Sequence, residues 1–448
     1  MDNKTIFALS TVYGKSGVAV IRISGSNALL AVSELTDIKT VEIKPRYAYF
    51  SKIYNLGKKE IIDNALIIYF KAPNSFNGED IVEFQIHGSK AIILSLIENL
   101  EKLPDFRMAE AGEFSKRAFY NGKMDLTQAE GLADLIDAET KEQQRFAVKQ
   151  MEGNLRDLYG SWREELLKVL AHLEAYIDFP DENIPDSICN NIMNTVFKIS
   201  GEIKKHLNSN KNTERLRDGF NIVIIGRPNA GKSSLINSII KREAVIVSDI
   251  AGTTRDAIDL HFDLGGYPLV ITDTAGLRDK TNDIIEEKGI KIAKEKIKNA
   301  DIILVVFDAE KENKEVFSDI IKESENKVLY VANKCDKLNK EQCSNLEKDN
   351  CITISAKNNL GIDTLLSKIL DIIKENFAVS SGAVITRTRY RQLLTETVTC
   401  LDCFSLNKDI ELAAEDVRFA VRLIGKITGK VDVEEVLDRI FGDFCIGK

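Results

Sequence analysis

Residues 226–233 read GRPNAGKS and match the pattern G-x-x-x-x-G-K-[ST]. The match follows the apolar segment NIVII and precedes SLINSII, which is the strand–loop–helix context that the pattern requires. Two glycines let the backbone curl, so that successive N–H groups face phosphate oxygens at a helix N-terminus. Lys232 supplies charge to the phosphates, and the Ser233 hydroxyl can ligate Mg²⁺. The predicted phosphate loop consists of Gly226, Arg227, Pro228, Asn229, Ala230, Gly231, Lys232, Ser233 and Ser234.

Three later motifs complete the predicted nucleotide site. In DTAG (273–276), the Asp can hold Mg²⁺ through water and the Gly N–H can meet the γ-phosphate. In NKCD (333–336), Asp336 can accept hydrogen bonds from guanine N1–H and its 2-amino group, which adenine does not offer in that pattern. SAK (355–357) can back the guanine O6, so the four motifs together predict a Ras-like G domain that binds GTP. The further contacts predicted are Asp273, Thr274, Ala275, Gly276, Asn333, Lys334, Asp336, Ser355, Ala356 and Lys357.

The means of hydrolysis differs from that of Ras-like enzymes, because Leu277 stands where those enzymes carry a water-orienting glutamine. The amide of Asn229 and the segment SDIAGTTRD (248–256) can together hold a monovalent cation. A K⁺ ion there would supply the positive charge of an arginine finger. For Asn229 alone, the alternative is a loop residue without a cation role. The predicted contacts of this segment are Ser248, Asp249, Ile250, Ala251, Gly252, Thr253 and Thr254, the last as a second hydroxyl for Mg²⁺.

The chain around the G domain changes its pattern twice. The N-terminal part alternates short β-rich stretches with turn signals, which predicts an α+β domain. The next part has helical periodicity, with a capping box predicted at Thr127 and Glu130 and a helix stop before Pro180. Apolar strands then alternate with helices, and the chain ends helical. The predicted architecture is multidomain: an α+β domain (1–118), a discontinuous α-helical domain (119–215 and 376–448), and an inserted Ras-like α/β P-loop G domain (216–375).

The composition limits the setting and the partners. Of 448 residues, 44% are hydrophobic and 29% charged, which suits a globular chain of about three domains. No apolar run approaches the ~20 residues of a membrane span, so no membrane association is expected. Seven cysteines, an odd number, fit a reducing compartment and predict a cytoplasmic protein. The net charge of −8 argues against nucleic acid on composition alone, so any RNA contact must be local or shared with a partner.

The motifs above occur together with GVAVIRISG, NSFNGEDIVEFQIHG, AGEFSKRAF and the terminal FCIGK. In this combination, over the whole chain, the sequence resembles the tRNA modification GTPases of the MnmE family, also called TrmE. The resemblance implies a tetrahydrofolate-binding N-terminal domain that forms a homodimer, and an MnmG-like FAD protein as partner in a heterotetramer. Together they install a 5-carboxymethylaminomethyl or 5-aminomethyl group on the wobble uridine of certain tRNAs. The resemblance names a 5-formyl- or 5,10-methylenetetrahydrofolate as the one-carbon source.

The resemblance also assigns individual residues of the G domain. K⁺ falls to Asn229, Ser248, Ile250 and Thr253, and Mg²⁺ falls to Ser233 and Thr254. The catalytic glutamate of the family lies in the pattern Glu-x-x-Gly-Ile, where EEKGI offers Glu286, with its neighbour Glu287 as the alternative. A carboxylate there would reach the attacking water in place of the missing glutamine. Without the resemblance, Glu286 and Glu287 fit equally well as solvent-exposed acidic residues at the start of a helix.

For the folate, the resemblance implies contacts from Arg22, Glu83, Lys123 and Lys448. These types fit the ligand, because the amino-pyrimidine edge of a pterin pairs with a carboxylate and its glutamate tail with cations. Cys445 stands fourth from the end, where a C-a-a-X box would carry a lipid, but Gly447 and Lys448 do not suit that signal. Cys445 is instead expected to be a site cysteine with a catalytic role.

Two other functions share parts of this pattern. Ribosome-assembly or RNA-chaperone GTPases have a similar phosphate loop, but they usually append a basic RNA-binding module, which this acidic chain does not show. A dynamin-like membrane GTPase is disfavoured because the sequence has no amphipathic basic segment.

Overall fold

The structure is a computed structural model of the chain. It describes residues 4–179, 186–210, 213–242, 259–273, 297–312, 314, 327–376, 383–431, 437, 440–442, 444 and 447. The chain divides into two compact units. The first contains Met1–Ala133, Arg156–Glu164 and Val421–Lys448, and the second contains Asp134–Leu155 and Glu165–Ala420.

A six-stranded sheet organises the first unit. Its strands are β1 (Thr5–Leu9), β2 (Ser16–Ser24), β3 (Ala48–Tyr54), β4 (Ile61–Phe70), β5 (Ile81–Gly88) and β6 (Phe106–Met108). They lie in the order β3-β4-β5-β2-β1-β6, antiparallel except for the parallel pair β1 and β6. The helices of this part of the chain are α1 (Ala28–Leu35), α2 (Lys90–Leu100), α3 (Glu113–Tyr120) and α4 (Leu126–Ile136). The predicted α+β character is confirmed.

The two faces of this sheet differ because successive side chains alternate between them. Phe7, Ile21 and Phe84 are fully buried on one face, in a core that also contains residues of α1 and α2. Arg22 and Glu83 alternate with these buried positions and therefore belong to the opposite face. The sheet thus presents a charged pair on the face that α1 and α2 leave uncovered.

The cap of α4 differs from the capping box predicted at Thr127 and Glu130. Asp125 is the capping residue: its Oδ1 accepts from the Gln128 N–H at 2.9 Å, and the Gln128 side chain accepts from the Asp125 N–H at 3.1 Å. The Thr127 hydroxyl donates to the same Asp125 carboxylate. The prediction was wrong by two residues because Asp caps a helix as well as Thr does, and the helix begins earlier than its apolar pattern.

The remaining helices follow in chain order. They are α5 (Lys141–Met151), α6 (Asn154–Asp178), α7 (Asp186–Ser209), α8 (Arg215–Asp218), α9 (Lys232–Ile240), α10 (Lys340–Lys348), α11 (Ile362–Asn376), α12 (Thr388–Cys403) and α13 (Ile410–Thr428). The end of α6 at Asp178 confirms the stop predicted before Pro180. None of the helices within the described ranges is long and apolar enough to cross a membrane.

The second unit contains another six-stranded sheet. Its strands are β7 (Phe220–Ile225), β8 (Asp259–Leu264), β9 (Tyr267–Asp273), β10 (Ile302–Asp308), β11 (Lys327–Asn333) and β12 (Cys351–Thr353), in the order β12-β11-β10-β7-β9-β8. Five strands are parallel, and only β8 runs antiparallel, at the edge. The five parallel strands confirm the predicted α/β domain. The sequence reading missed β8, because DLHFDL alternates polar with apolar residues instead of forming a continuous apolar run.

Candidate functional site

The predicted guanine-nucleotide motifs gather at one edge of the second sheet. The phosphate loop follows β7, NKCD follows β11, SAK follows β12, and Asp273 is the last residue of β9. These four strands are parallel within one sheet, so their carboxyl ends lie at the same edge. In open α/β sheets, ligands bind at this edge. The structure therefore brings together motifs that lie more than 100 residues apart, as the 103-residue separation of Asn333 and Ala230 shows.

Two positions of the phosphate loop have no room for a side chain. Gly231, with φ of 97°, is the N-cap of α9, and a Cβ there would lie 2.1 Å from Asn333 Nδ2. A Cβ on Gly226 would lie 2.1 Å from the carbonyl oxygen of Val306 in β10. Any larger residue would push the loop away from β10 and β11. Both glycines of the motif thus hold the loop against the sheet.

Lys232 is folded back over this loop. Its Nζ donates to the carbonyl oxygens of Gly226 at 2.9 Å and of Arg227 at 3.1 Å. Ser233 follows in the first turn of α9 and is exposed. The ammonium and the hydroxyl therefore lie at the helix N-terminus, where an anionic phosphate is favoured.

Asn333 connects three of the motifs. It is 2% exposed, its Nδ2 donates to the carbonyl oxygen of Ala230 at 2.8 Å, and its Oδ1 accepts from the Ala356 N–H at 3.1 Å. Nearby, the Ser355 hydroxyl donates to Asp336 Oδ1 at 2.5 Å. This bond orients the carboxylate that was predicted to read guanine.

Lys334 forms a second connection to the phosphate loop. Its Nζ donates to the carbonyl oxygen of Asn229 at 2.8 Å and to Asp308 Oδ2 at 2.7 Å. Asn229 itself adopts a left-handed conformation, with φ of 63°, and is exposed. Burial raises the pKa of Asp308, but the hydrogen bonds from Lys334 and from the Glu310 backbone outweigh it, so the pKa lies below its ordinary value. Sequence reasoning missed Asp308, although its position at the end of an apolar strand was a usable signal.

Several predicted residues lie outside the described part of the chain, and the structure says nothing of their geometry. They are Ser248, Asp249, Ile250, Ala251, Gly252, Thr253, Thr254, Thr274, Ala275, Gly276, Glu286, Cys445 and Lys448. Of the predicted K⁺ ligands only Asn229 is described, and of the Mg²⁺ ligands only Ser233. Within the described ranges, no group of three or more His, Cys, Asp or Glu side chains is placed to hold a metal ion.

In the first unit, the structure pairs two of the residues assigned to folate. Arg22 and Glu83 are register partners on β2 and β5, and Arg22 Nε lies 2.9 Å from Glu83 Oε1. Their side chains are 17% and 15% exposed. The Arg22 guanidinium also lies 5.7 Å from the ring centre of Phe76 and 5.8 Å from that of Phe114. The pair is therefore adjacent to two aromatic rings, a setting that suits a flat heterocycle.

Lys123, the third residue predicted to contact folate, lies against the loop that carries Phe76. A Cβ on Gly78 would approach Lys123 Cε to 3.0 Å, and φ at Gly78 is 83°. The Asn121 side chain donates to the carbonyl oxygen of Asn77 at 2.8 Å. The segment around residues 121–123 and the loop at 76–78 thus form one wall beside the sheet.

A partly buried charge network holds that loop in place, and sequence reasoning missed it. Arg117, 5% exposed, donates to Glu79 Oε2 at 3.1 Å and to Glu113 Oε1 at 3.0 Å. Arg107 donates to both oxygens of Glu113, at 2.6 and 2.7 Å. The Ser24 hydroxyl donates to Glu79 at 2.7 Å. Two arginines and two glutamates neutralise one another here, as buried charges require.

The C-terminal segment reaches β1 of the same unit. The Ser10 hydroxyl donates to the carbonyl oxygen of Gly447 at 3.0 Å, across 437 residues of sequence. A Cβ on Gly447, where φ is 100°, would lie 2.3 Å from the carbonyl oxygen of Leu9. Ala8, one residue before Leu9, is the register partner of Arg22. The residue before Lys448 therefore lies beside the strand pair that carries Arg22.

Known proteins match the chain in both the N-terminal region and the region that contains the phosphate loop. A family model of the MnmE helical domain matches residues 126–445, and a model described as GTP-binding protein TrmE N-terminus matches residues 5–123. The tRNA modification GTPases MnmE of Rickettsia typhi and Rickettsia prowazekii are each 48% identical over 446 residues, with 99% of this chain and 100% of each relative aligned. The chain belongs to the MnmE family. The match extends beyond the G domain, so the family assignment does not depend on the phosphate loop alone.

Two solved structures share a smaller part of the chain. The G domain of the T. maritima FeoB iron transporter is 23% identical, over 34% of this chain and 98% of its own, with a TM-score of 0.27. Era, in complex with MgGDPNP and a segment of 16S ribosomal RNA, is 18% identical, over 50% of this chain and 99% of its own, with a TM-score of 0.29.

Proposed function

We propose that this chain is a GTPase that acts in tRNA modification, as the names of its MnmE relatives state for them. The observation that carries the proposal is the double hydrogen bond of Asn333, which joins the phosphate loop to the SAK segment. It assembles a phosphate-binding and a guanine-reading element into one site. The domain limits 1–118, 119–215, 216–375 and 376–448 are part of the proposal.

In this site, each group has a defined task. The backbone of the loop and Lys232 bind the phosphates, while Asp336, oriented by Ser355, reads the guanine edge. Mg²⁺ would be held by Ser233 and Thr254, with Asp273 acting through water, and would neutralise charge on the phosphates. Glu286 would orient the attacking water. Ser233 is an exposed hydroxyl at a helix N-terminus, so it fits this role.

In place of the glutamine and the arginine finger of other GTPases, a K⁺ ion is proposed to supply additional positive charge beside the phosphates. Its ligands would be Asn229 with Ser248, Ile250 and Thr253. The described residue fits, because the Asn229 side chain is exposed while its backbone carbonyl is engaged by Lys334. The left-handed backbone of Asn229, anchored by that bond, fixes the position of the Cβ atom from which the side-chain amide extends.

A tetrahydrofolate derivative, 5-formyl or 5,10-methylene, is proposed for the first unit, with contacts from Arg22, Glu83, Lys123 and Lys448 and a site role for Cys445. Arg22 and Glu83 neutralise each other at 2.9 Å. A pterin with an amino-pyrimidine edge and a carboxylate tail offers each of them a replacement partner. The tail contact at Gly447 supports the inclusion of the C-terminus.

The proposed partners are a second copy of the chain, an MnmG-like FAD protein in a heterotetramer, and tRNA. The homodimer is supported by Phe50 and Leu66, which are register partners on the face of the sheet that carries Glu83 and are 74% and 39% exposed. Because the chain carries a net charge of −8, the FAD protein would supply most of the basic surface for tRNA. A cytoplasmic location is proposed, supported by the free thiols of the six described cysteines.

The experiment that tests the proposed function is mass spectrometry of tRNA nucleosides from cells that lack this protein. Loss of the modified wobble uridine, restored by the wild-type gene but not by Lys232→Ala or Glu286→Ala, is expected. Wobble uridines that remain modified in the deletion strain would overturn the proposal.

A further inference from the structure

Helix α5 is hydrogen-bonded to the hairpin of β8 and β9. The backbone N–H of Glu142, in the first turn of α5, donates to the carbonyl oxygen of Gly266 at 3.1 Å. Gly265 and Gly266 form the turn of the hairpin, with φ of 59° and 96°, and the Gly266 N–H donates to Asp263 Oδ1 at 2.6 Å. The first four N–H groups of a helix have no acceptor inside the helix, so this contact uses a donor that the helix itself does not need.

The first turn of α5 is held in place from two further sides. Thr140 and Gln143 form a capping box, and Gln143 Nε2 donates to the carbonyl oxygen of Arg217 in α8 at 3.1 Å. Phe146, 7% exposed, belongs to the same buried cluster as Phe220 of β7, with Tyr267 of β9 packed against it. The Gly266 contact is therefore made by an anchored helix and not by a loose chain end.

The hairpin leads directly to the nucleotide site. β9 runs from Tyr267, next to Gly266, to Asp273, and it is hydrogen-bonded to β7 on one side and β8 on the other. One continuous, paired strand therefore joins the turn at Gly266 to Asp273. The residues that bind phosphate and guanine follow β7, β11 and β12 instead, and Asn333 and Lys334 tie those segments to one another.

We propose that α5 positions Asp273 through the Glu142–Gly266 hydrogen bond and so sets the rate of GTP hydrolysis, while leaving GTP affinity unaffected. The inference rests on the role proposed above for Asp273 in holding Mg²⁺. It makes Thr140 and Glu142 positioning residues, which act through the hairpin and Asp273. The separation of rate from affinity is expected because the strand that begins beside Gly266 ends at Asp273, whereas the groups proposed to bind phosphate and guanine follow β7, β11 and β12.

The chain offers a matched pair of variants for the test. Thr140 caps α5 and Asn339 caps α10, each with a capping box completed by a glutamine three residues on, and of these two helices α5 is the one hydrogen-bonded to the hairpin turn through Glu142 and Gly266. Each cap removal frays a first turn to a similar extent. Steady-state GTP hydrolysis and, separately, the affinity for a fluorescent GTP analogue are measured on the full-length protein for Thr140→Ala, Asn339→Ala and Thr140→Ser. Thr140→Ala is expected to lower kcat by up to about fivefold, the largest change in the population of the ordered turn that loss of a typical cap produces, with KM unchanged.

The controls decide the outcome. Thr140→Ser keeps the capping hydroxyl and is expected to retain the wild-type kcat, as is Asn339→Ala. The inference would be overturned by an unchanged kcat in Thr140→Ala, by an equal loss of kcat in Asn339→Ala, or by a raised KM in Thr140→Ala. The proposed function would stand in each case. A wild-type protein without GTPase activity would overturn the proposed function, and the inference with it.

Discussion

The Nδ2 atom of Asn333 lies 2.8 Å from the carbonyl oxygen of Ala230, so that the end of β11 and the phosphate loop are hydrogen-bonded to each other. The same side chain accepts a hydrogen bond from the Ala356 N–H. The segment proposed to read guanine and the segment proposed to bind phosphate are thus held at a constant separation by one buried amide.

Replacing this amide should weaken both binding and stability. Asn333→Ala leaves the buried carbonyl of Ala230 and the N–H of Ala356 without their partner, which costs about 2 kcal/mol or more. We expect GTP affinity to fall at least about tenfold, measured with a fluorescent GTP analogue alongside urea unfolding. Asn345→Ala, an exposed position on α10, serves as the control, and wild-type affinity in Asn333→Ala would contradict the role assigned to the amide.

His206 should make stability depend on pH. Burial, with a smaller contribution from the Arg391 guanidinium, lowers its pKa from 6.5 to about 4. Because the unfolded chain takes up the proton more readily, the contribution of neutral His206 to the free energy of unfolding is fully present above pH 6.5. It is lost as the pH falls towards 4. We expect a loss of about 3 kcal/mol over this range, measured by urea unfolding at a series of pH values.

Two variants isolate this effect. His206→Gln removes the titrating group and should flatten the pH dependence between 6.5 and 4. His172→Gln, at an exposed position of α6, should leave the wild-type profile unchanged. Identical slopes for all three proteins would show that His206 is protonated equally in the folded and unfolded chains.

Asn229 should confer a dependence on potassium. We expect GTP hydrolysis to be about tenfold faster in KCl than in NaCl, since a K⁺ ion beside the phosphates stabilises developing charge. Asn229→Gly removes the amide without strain at φ of 63°, so it should lose the stimulation and keep GTP binding. Equal rates in the two salts for the wild-type protein would remove the cation role.

Arg22 and Glu83 should be coupled in folate binding. Calorimetric titration with 5-formyltetrahydrofolate should show about tenfold weaker binding for Arg22→Met and for Glu83→Gln, because a charged contact is lost in each. In the double variant the two losses should not add, since the residues contact each other at 2.9 Å. Lys52→Met, on the exposed edge strand β3, is the control. Unchanged affinity in both single variants would place the folate elsewhere.

The sequence predicted local features well where one segment carries the whole signal. The phosphate loop, the strands around it and the end of α6 are short patterns that include their own glycine, apolar run or proline. It failed at the cap of α4, because Asp125 and Thr127 are both competent caps and only the path of the chain distinguishes them. It failed at β8, whose alternating pattern is that of an edge strand with one buried and one half-buried face.

The site in the first unit shows the limit more clearly. Arg22 and Glu83 were assigned by resemblance, but their mutual ion pair was not foreseen, because it depends on the register of β2 against β5. The network of Arg107, Glu113, Arg117 and Glu79 likewise joins α3, β6 and a loop, and no spacing in the sequence announces it.

The order and chemistry of the motifs, the family and the α/β character of the G domain all follow from the amino-acid sequence, because each depends on residues that are neighbours along the chain. The meeting of Asn333 with Ala230, of Gly447 with Ser10, and of Glu142 with Gly266 follows only from the folded chain. These contacts join segments that are distant in sequence, and strand order and register decide which of their many polar groups come within hydrogen-bonding distance.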